Sequence, residues 1–503
     1  MKRFNKDKYL KNLKIKRWLQ SNSRYLYIGV SCLFVCIIGL YFAYSKFFVS
    51  KEEVVIKTTV GNFTQGDVII RAYIDNEYSN TIPGKNDGYA VEKVVCDNGS
   101  VGNWDNDKWG LLTTNLTKRT KCNVYFKKGI KIGNIVAPVD ELGKCPTVNE
   151  DGSVNVTAVE ATNGYLCKAK DAYGDSYYYR GNVTNNYVKF GKWSKDTPDV
   201  VRGFYSATST SYNEYSTVKE CQSASLYNVN CTVISKANKD MYWRIVRING
   251  DGTVRVIYDG TSAHANGESS VDRLIGESQF NKYYGDNAYV GYMYGQSSAS
   301  TYADAHANTN NSTIKTYIDN WYKTNIVGTT NEQYLADNVF CNDRSISSNT
   351  PSGFNNLGYG MKNATAYRWY YGPWSSGSYN SSMRLICPQK NDAFTVSDTT
   401  NGNGALTYPV GLLSTDEIVL AGGWNVANSG YYLYSGLETA WWASPSHTNG
   451  SFSFVYVVTF EGKVKSGYSN NNYGVRPVLN LKADVLAQGT GAASDPYRIS
   501  LTS

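Results

Sequence analysis

The longest apolar stretch of the chain runs from Leu26 to Ser45 and contains no charged side chain before Lys46. At about 1.5 Å per residue, a helix of about 20 residues spans about 30 Å, which is the hydrocarbon thickness of a bilayer. Tyrosines stand at both ends of the stretch, where amphipathic rings favour the membrane interfaces. The pattern predicts one transmembrane helix, with its span at residues 26–45, inside an anchoring segment at 25–48.

A cleaved signal peptide is the alternative explanation of this stretch. The apolar part of such a peptide is about 7–15 residues long and ends in small residues. Here the apolar run is longer, and Lys46, Phe47 and Phe48 follow it, which makes a poor cleavage site. We therefore expect an uncleaved signal anchor.

Short segments rich in β-branched and aromatic residues occupy residues 50–140. Turn clusters such as Pro83–Gly88 and Asp97–Ser100 separate these segments, and strands at this spacing are typical of a sandwich. We expect a small all-β, sandwich-like module, which carries no recognisable catalytic pattern and whose default role is a stalk. The expected strands are Val54–Thr59, Asp67–Asp75, Tyr89–Cys96, Trp109–Thr114 and Lys121–Phe126.

A larger domain is expected at 141–503, and its clearest element is a hairpin. Trp243–Ile248 and Thr253–Tyr258 have the composition of strands, and Asn249–Gly252 between them supplies residues that tolerate positive φ. Because side chains alternate along a strand, one face of this hairpin should belong to the core. That face consists of Trp243, Ile245, Val254, Val256 and Tyr258.

Helical periodicity is recognisable at two places in this domain. Apolar residues recur at helical spacing from Ile314 to Tyr322, with Asn311 or Ser312 as the N-cap. A shorter helix should begin at Ser414, where Ser414–Glu417 forms a capping box, and should end at Gly422.

The last part of the chain returns to strand patterns. Val475–Leu481 predicts a strong strand, and a further strand precedes it. Few helices and many short strands predict an α+β domain. One face of the preceding strand should carry Phe452, Phe454, Tyr456, Val458 and Phe460.

Charge is distributed very unevenly along the chain. The formal net charge is +8, and the first 24 residues hold nine basic side chains and one acid, so the remainder is neutral. A neutral body argues against nucleic acid as a partner. Basic flanks stay on the cytoplasmic side of a membrane, so residues 1–24 are expected to be a cytoplasmic tail and the C-terminal part an extracellular ectodomain.

Eight of the ten cysteines lie beyond the anchor, and an even number there fits disulfides in an oxidising compartment. Eight cysteines allow about 105 connectivities, and no Cys-x-x-Cys pattern supports a zinc site. A reduced, reactive thiol is the alternative for any single cysteine, and Cys341 and Cys387 are the pair to check first. Pairing neighbours in sequence gives Cys96–Cys122, Cys145–Cys167, Cys221–Cys231 and Cys341–Cys387.

Four segments of the larger domain form a recognisable set, namely Asp171–Val183, Tyr187–Phe190, Tyr242–Gly252 and Gly474–Leu481. Together they resemble an uncharacterised family of anchored surface proteins from Gram-positive bacteria. The resemblance covers residues 145–503 and implies surface display, but it is silent on chemistry. Residues 191–241 depart from the family pattern and are expected to form an insertion with its own disulfide.

A more distant resemblance concerns Ala440–Pro445, followed by a Tyr- and Val-rich strand, a glycine turn and Gly-Val-Arg-Pro. This order is similar to the C-type-lectin-like fold, which includes the formylglycine-generating-enzyme group and bacterial adhesin tips. The resemblance implies that the larger domain is C-type-lectin-like.

Exposed aromatic residues are the candidate ligand contacts, because Tyr and Trp make rigid amphipathic surfaces in recognition loops. Core packing is the alternative for each ring. Trp441 and Trp442 are adjacent, so one is expected to point inward and the other outward. The candidate contacts are Trp369, Tyr370, Tyr371, Trp374, Trp424 and Trp442.

These features favour a surface-bound, non-catalytic binding or adhesion protein whose partner is an extracellular glycan or protein. The alternatives are a structural component of the cell envelope and, less favoured, an extracytoplasmic enzyme. A nucleophile–histidine pair of Ser444 and His447 is conceivable, but its spacing has no specificity. No catalytic residue, metal or cofactor is assigned, and the oligomeric state stays open.

Overall fold

The computed structural model describes residues 14, 16–18, 21 and 57–58, and most of residues 68–499. Among the described residues, no helix is both long enough and apolar enough to cross a membrane. The expected anchor at 25–48, and most of the basic tail before it, lie outside these residues. The positions left out after 68 are 86, 106–108, 115–119, 135–144, 157–159, 161–163, 205–211, 225–229, 266, 347–356, 362–364, 367–381 and 438.

The chain divides into two compact units, residues 1–128 with 502–503, and residues 129–501. The second unit begins at residue 129, whereas the sequence predicted a boundary at 140. The difference arises because strand Ile130–Lys131 pairs with Leu486–Ala487 of the second unit. The strands of the first unit are β1 (Lys57–Thr58), β2 (Val68–Ile74), β3 (Glu77–Ser79), β4 (Tyr89–Cys96), β5 (Val101–Asp105), β6 (Gly110–Thr114) and β7 (Thr120–Lys128).

The first unit contains two sheets, with strand orders β3-β2-β7-β4 and β1-β6-β5. Trp104 of β5 meets the ring of Phe126 of β7 edge-on, with ring centroids 5.3 Å apart, so the two sheets share a core. Cys96 and Cys122 are directly opposite each other on β4 and β7 and form a disulfide. Between residues 57 and 128, the secondary structure that is described consists of strands, in agreement with the expected β-rich module.

The second unit is also mostly strands, with few helices. Its strands are β8 (Ile130–Lys131), β9 (Thr147–Val148), β10 (Val154–Asn155), β11 (Tyr165–Asp171), β12 (Gly174–Arg180), β13 (Tyr187–Lys192), β14 (Val200–Phe204), β15 (Tyr212–Tyr215), β16 (Asn230–Ile234), β17 (Asp240–Ile248), β18 (Val254–Gly260), β19 (Gly276–Gln279), β20 (Met293–Tyr294), β21 (Asn310–Asn311), β22 (Phe340–Cys341), β23 (Thr365–Ala366), β24 (Ser382–Met383), β25 (Ala393–Phe394), β26 (Trp441–Thr448), β27 (Ser453–Val458), β28 (Val464–Tyr468), β29 (Asn472–Val475), β30 (Val478–Leu481), β31 (Leu486–Ala487) and β32 (Tyr497–Arg498). Its helices are α1 (Val218–Ser223), α2 (Tyr302–Ala305), α3 (Thr313–Asn325) and α4 (Thr415–Ala421).

Two large sheets organise this unit. A seven-stranded sheet has the order β11-β12-β17-β13-β32, with β18 on β17 and β30 on β18, and a six-stranded sheet has the order β19-β29-β26-β27-β28, with β23 on β26. The predicted hairpin is β17 and β18, and the backbone N–H of Asn249 donates to the Thr253 carbonyl across its turn at 2.8 Å. The five residues expected on its core face are all buried.

Both predicted helices are present, and their caps are those expected from the sequence. Ser312 accepts a hydrogen bond from the backbone of Lys315 and caps α3. Ser414 and Glu417 form the capping box of α4, which ends at Gly422 with φ of 125°. Every residue of α4 is buried, so this helix packs into the core.

The Glu417 carboxylate joins three elements inside the second unit. It accepts from Arg247 Nε of β17 at 3.0 Å and from Arg255 Nη1 of β18 at 2.6 Å. Arg247 also pairs with Asp171 of β11 at 2.5 Å. Burial raises the pKa of Glu417, but the two guanidinium groups outweigh burial and bring this pKa to about 2.

The structure contains the four disulfides that pair neighbouring cysteines in sequence, as expected: Cys96–Cys122, Cys145–Cys167, Cys221–Cys231 and Cys341–Cys387. Cys221 lies on α1 and Cys231 on β16, so this bridge closes the insertion. The insertion also contains a three-stranded sheet of order β15-β14-β16.

Candidate functional site

A connected set of partly exposed rings lies at one end of the six-stranded sheet. We call Tyr284, Phe452, Phe454 and Tyr468 the aromatic surface. Successive ring centroids are 5.7 Å apart for Tyr284 and Phe452, 4.9 Å for Phe452 and Tyr468, and 4.8 Å for Tyr468 and Phe454. Tyr284 is 49% exposed, Phe452 38% and Tyr468 42%. Large apolar side chains that are exposed together mark interaction sites more often than single exposed ones.

The register of the sheet places two of these rings side by side. Phe454 of β27 pairs with Tyr468 of β28 on one side and with His447 of β26 on the other. Directly opposed side chains on neighbouring strands point to the same face and contact each other. The His447 ring accordingly stacks on Phe454, with centroids 4.4 Å apart and an interplanar angle of 3°.

The turn between β26 and β27 holds Phe452 in place although its ring is exposed. The Asn449 side-chain oxygen accepts from the backbone N–H of Ser451 at 3.1 Å and of Phe452 at 2.9 Å. Gly450 adopts a φ of 82°. Such positive φ values are common for the glycine of an Asn-Gly pair in a tight turn. Phe452 is therefore presented by a hydrogen-bonded turn.

The loop that carries Tyr284 is tied to the same sheet. Ser453 Oγ donates to the Asp286 carbonyl at 2.6 Å, and Ser469 Oγ donates to the Tyr283 carbonyl at 3.2 Å. Gly285 has a φ of 84°, and a Cβ there would lie 3.2 Å from the Ser451 carbonyl, so only glycine fits without strain. The rings are thus preorganised, which lowers the entropy lost when a ligand binds.

Three further tyrosine rings continue from this loop. Tyr289 lies between Tyr283 and Tyr294, with centroid distances of 5.3 and 5.5 Å. The Lys282 ammonium lies 4.9 Å above the Tyr283 ring. These contacts extend the exposed aromatic area beyond the aromatic surface itself.

His447 adds no charge to the site at neutral pH. Burial lowers the pKa of His447 to about 3, and its Nδ1 lies 2.9 Å from the Ser446 hydroxyl. The only charged group in the ring contacts described above is therefore Lys282, which already contacts Tyr283. The site suits an uncharged or weakly charged ligand better than a polyion.

Two of the tryptophans expected to bind ligand are core residues instead. Trp424 is 6% exposed and Trp442 is fully buried. The expectation that either Trp441 or Trp442 points outward is also wrong, because β26 is covered on both faces. The Trp442 ring packs against Phe280 and Tyr473, and its Nε1 donates to the Ser278 carbonyl at 2.8 Å.

The other four expected contacts, Trp369, Tyr370, Tyr371 and Trp374, lie outside the described residues. In the sequence they closely follow Ala366, which pairs with His447 across β23 and β26. Their role in binding stays a prediction.

Sequence reasoning missed the residues that the structure does expose. Phe452, Phe454 and Phe460 were expected on one strand face with Tyr456 and Val458, yet only the last two are buried. The reason is that β27 runs only from Ser453 to Val458, so Phe452 and Phe460 lie in the turns that precede and follow it. A signal for the loop that carries Tyr284 is the Gly285-Asp286-Asn287 run after it, since a cluster of Gly, Asp and Asn is typical of a loop.

The residues considered for catalysis have other partners. Ser444 Oγ accepts from the backbone N–H of Thr415 at 2.9 Å, whereas the His447 ring contacts Ser446. The cavity beside Ser444 and Cys341 has a volume of about 10 Å³, which is space for a single water. Among the residues that the structure describes, no group of three or more His, Cys, Asp or Glu is arranged to hold a metal ion.

Comparison with known proteins adds no relative. No family model, no curated protein and no solved structure matches this chain.

Proposed function

We propose that this chain is a membrane-anchored surface protein that binds an extracellular glycan or protein through the aromatic surface, without catalysis or a cofactor. The observation that carries the proposal is the contact between Tyr284 and Phe452, two exposed rings that meet from segments far apart in sequence. Exposed apolar rings reduce solubility unless a partner covers them. Rigid aromatic side chains are also frequent hot spots of binding energy.

The four disulfides support a location on the outer side of the membrane, where an oxidising environment maintains them. The span at residues 26–45 would supply the anchor, and the basic residues before it would keep the N-terminus in the cytoplasm. The family resemblance of residues 145–503 points to the same location.

The C-type-lectin-like assignment is part of this proposal. It is supported by the Ala440–Pro445 segment, whose last five residues begin β26, and by a mostly β unit with few helices. Fold alone does not determine function, so the proposal depends on the aromatic surface rather than on the fold.

A binding screen tests the proposal. The full chain in detergent would be presented to immobilised extracellular polysaccharides and to surface and matrix proteins, with saturation measured for each. We expect saturable binding to at least one of them. Binding to none would contradict the proposal and would favour a structural role in the envelope.

A further inference from the structure

We infer that the ligand of the aromatic surface is an uncharged polysaccharide. This inference rests on the proposed function and specifies the class of ligand at the same site. It follows from the charge of the site, from the geometry of its rings and from the polar groups around them.

The first reason is that the ring contacts of the described residues bring one charged group, Lys282, to the site. Binding of a polyanion depends on several Lys or Arg side chains that face the ligand. The aromatic surface has Lys282 beside it, and that ammonium lies over the Tyr283 ring. His447 beneath Phe454 is buried and stacked. A charged polymer would find almost no counter-charge in these contacts.

The second reason is the way in which the rings overlap. Tyr284 and Phe452 are nearly parallel, with an angle of 14° between their planes, but their centroids are 5.7 Å apart. Such a separation is typical of an offset stack, which leaves part of each ring face uncovered. A pyranose ring has one face formed by C–H groups, and this face can pack on an uncovered aromatic face.

The third reason is the polar groups that border the rings. The turns that carry Phe452 and Tyr468 contain neutral amides and hydroxyls, namely Asn449, Ser451, Asn470 and Asn471. Sugar hydroxyls both donate and accept, so neutral amides and the Tyr284 hydroxyl suit them. A protein interface, by contrast, is usually anchored by arginine or by aromatic side chains that fill pockets.

Affinity electrophoresis of the full chain in detergent tests the inference. Gels would contain uncharged polysaccharides (hydroxyethyl cellulose, mannan, galactomannan, arabinoxylan) or charged ones (carboxymethyl cellulose, polygalacturonate). Hydroxyethyl and carboxymethyl cellulose share a backbone and differ in charge. The variants are Tyr284→Ala and, as a matched control, Tyr78→Ala, whose exposed ring lies in the first unit.

We expect retardation by at least one uncharged polysaccharide, with little change between about 50 mM and about 500 mM salt. Tyr284→Ala should weaken this retardation about tenfold or more, and Tyr78→Ala should leave it unchanged. Retardation only by charged polymers, lost at high salt, would overturn the inference.

Two other outcomes separate this inference from the proposed function. If the chain binds a protein through Tyr284 and binds no glycan, the inference is wrong and the proposed function stands. If a glycan binds equally well to Tyr284→Ala and Tyr78→Ala, the aromatic surface is not the binding site and both are wrong.

Discussion

The rings of Tyr284 and Phe452 lie nearly parallel, 5.7 Å apart at their centroids, although 167 residues separate them in the chain. One ring comes from the loop before a short 3-10 helix at Asn287–Val290, and the other from the turn between β26 and β27. The Ser453–Asp286 hydrogen bond joins these two segments directly. The aromatic surface therefore depends on the tertiary fold and not on one loop.

Asn449→Ala should weaken ligand binding with only a small effect on folding. The substitution removes the side-chain acceptor for the Ser451 and Phe452 amides, so the turn loses order before a ligand binds. Because the turn is exposed, we expect a loss of about 1 kcal/mol in unfolding free energy. Urea denaturation and ligand titration of the same preparation check the two effects, and unchanged affinity would show that the turn does not preorganise Phe452.

Glu417→Gln should destabilise the second unit strongly. The change leaves Arg247 and Arg255 buried without the carboxylate they share, and breaking a buried ion pair costs about 3–5 kcal/mol. Asp175→Asn removes an exposed partner of Lys168 and is the matched control, with the unfolding midpoint expected to stay nearly unchanged. Equal midpoints for the two variants would contradict the central role of Glu417.

Glu417 also predicts how the stability changes in acid. Its folded pKa of about 2 lies below the unfolded value of 4.5, so ionised Glu417 stabilises the fold fully above about pH 4.5. This contribution is lost as the pH falls from about 4.5 towards 2. The difference in unfolding free energy between the wild type and Glu417→Gln should therefore shrink across this range, as denaturant midpoints at several pH values would show.

His447 also destabilises the fold in acid, but at higher pH than Glu417, because its neutral form is the buried one. Below pH 6.5 the unfolded chain takes up a proton at this residue, whereas the folded chain takes it up only near pH 3. Falling pH thus favours unfolding by about 1.4 kcal/mol per unit within this window. His447→Gln should be less stable than the wild type at pH 7, because the Phe454 stack is lost, and this gap should narrow by pH 5. A gap independent of pH would contradict a buried neutral His447.

Removing disulfides should destabilise the chain in the order of the loops they close. In the chain-entropy account, the 46-residue separation of Cys341 and Cys387 corresponds to about 4 kcal/mol and the 10-residue separation of Cys221 and Cys231 to about 2.7 kcal/mol. Paired Cys→Ala variants, compared by thermal unfolding, check the order. Thiol titration of the unfolded, unreduced chain should detect only Cys32 and Cys36, and further thiols would contradict the pairing.

The features that the sequence predicted correctly depend on local patterns. The β17–β18 hairpin follows from alternation around Asn249–Gly252, and the caps of α3 and α4 follow from residues within one helical turn. The disulfides join neighbouring cysteines, and closing a short loop costs the least chain entropy.

The features that it missed depend on packing between distant segments. Glu417 belongs to the local capping box of α4, but its carboxylate reaches Arg247 and Arg255 only because α4 packs on β17 and β18. Trp442 points into the core because both faces of its strand are covered, which alternation along one strand cannot show. Of the aromatic surface, alternation in the sequence indicated Phe452 and Phe454 but not Tyr284 or Tyr468, and it did not show which rings would be exposed. Phe452 and Tyr456 follow the same alternation, and they differ in exposure because β27 begins only at Ser453.

The affinity of the full chain for its extracellular ligand, compared between Phe452→Ala and Phe460→Ala, tests the central claim most directly. Both residues are exposed phenylalanines in the turns at opposite ends of β27, so the two substitutions remove the same ring from similar settings. Binding through the aromatic surface predicts that the dissociation constant rises about tenfold or more for Phe452→Ala and stays near the wild-type value for Phe460→Ala. Equal dissociation constants for the two variants would contradict it.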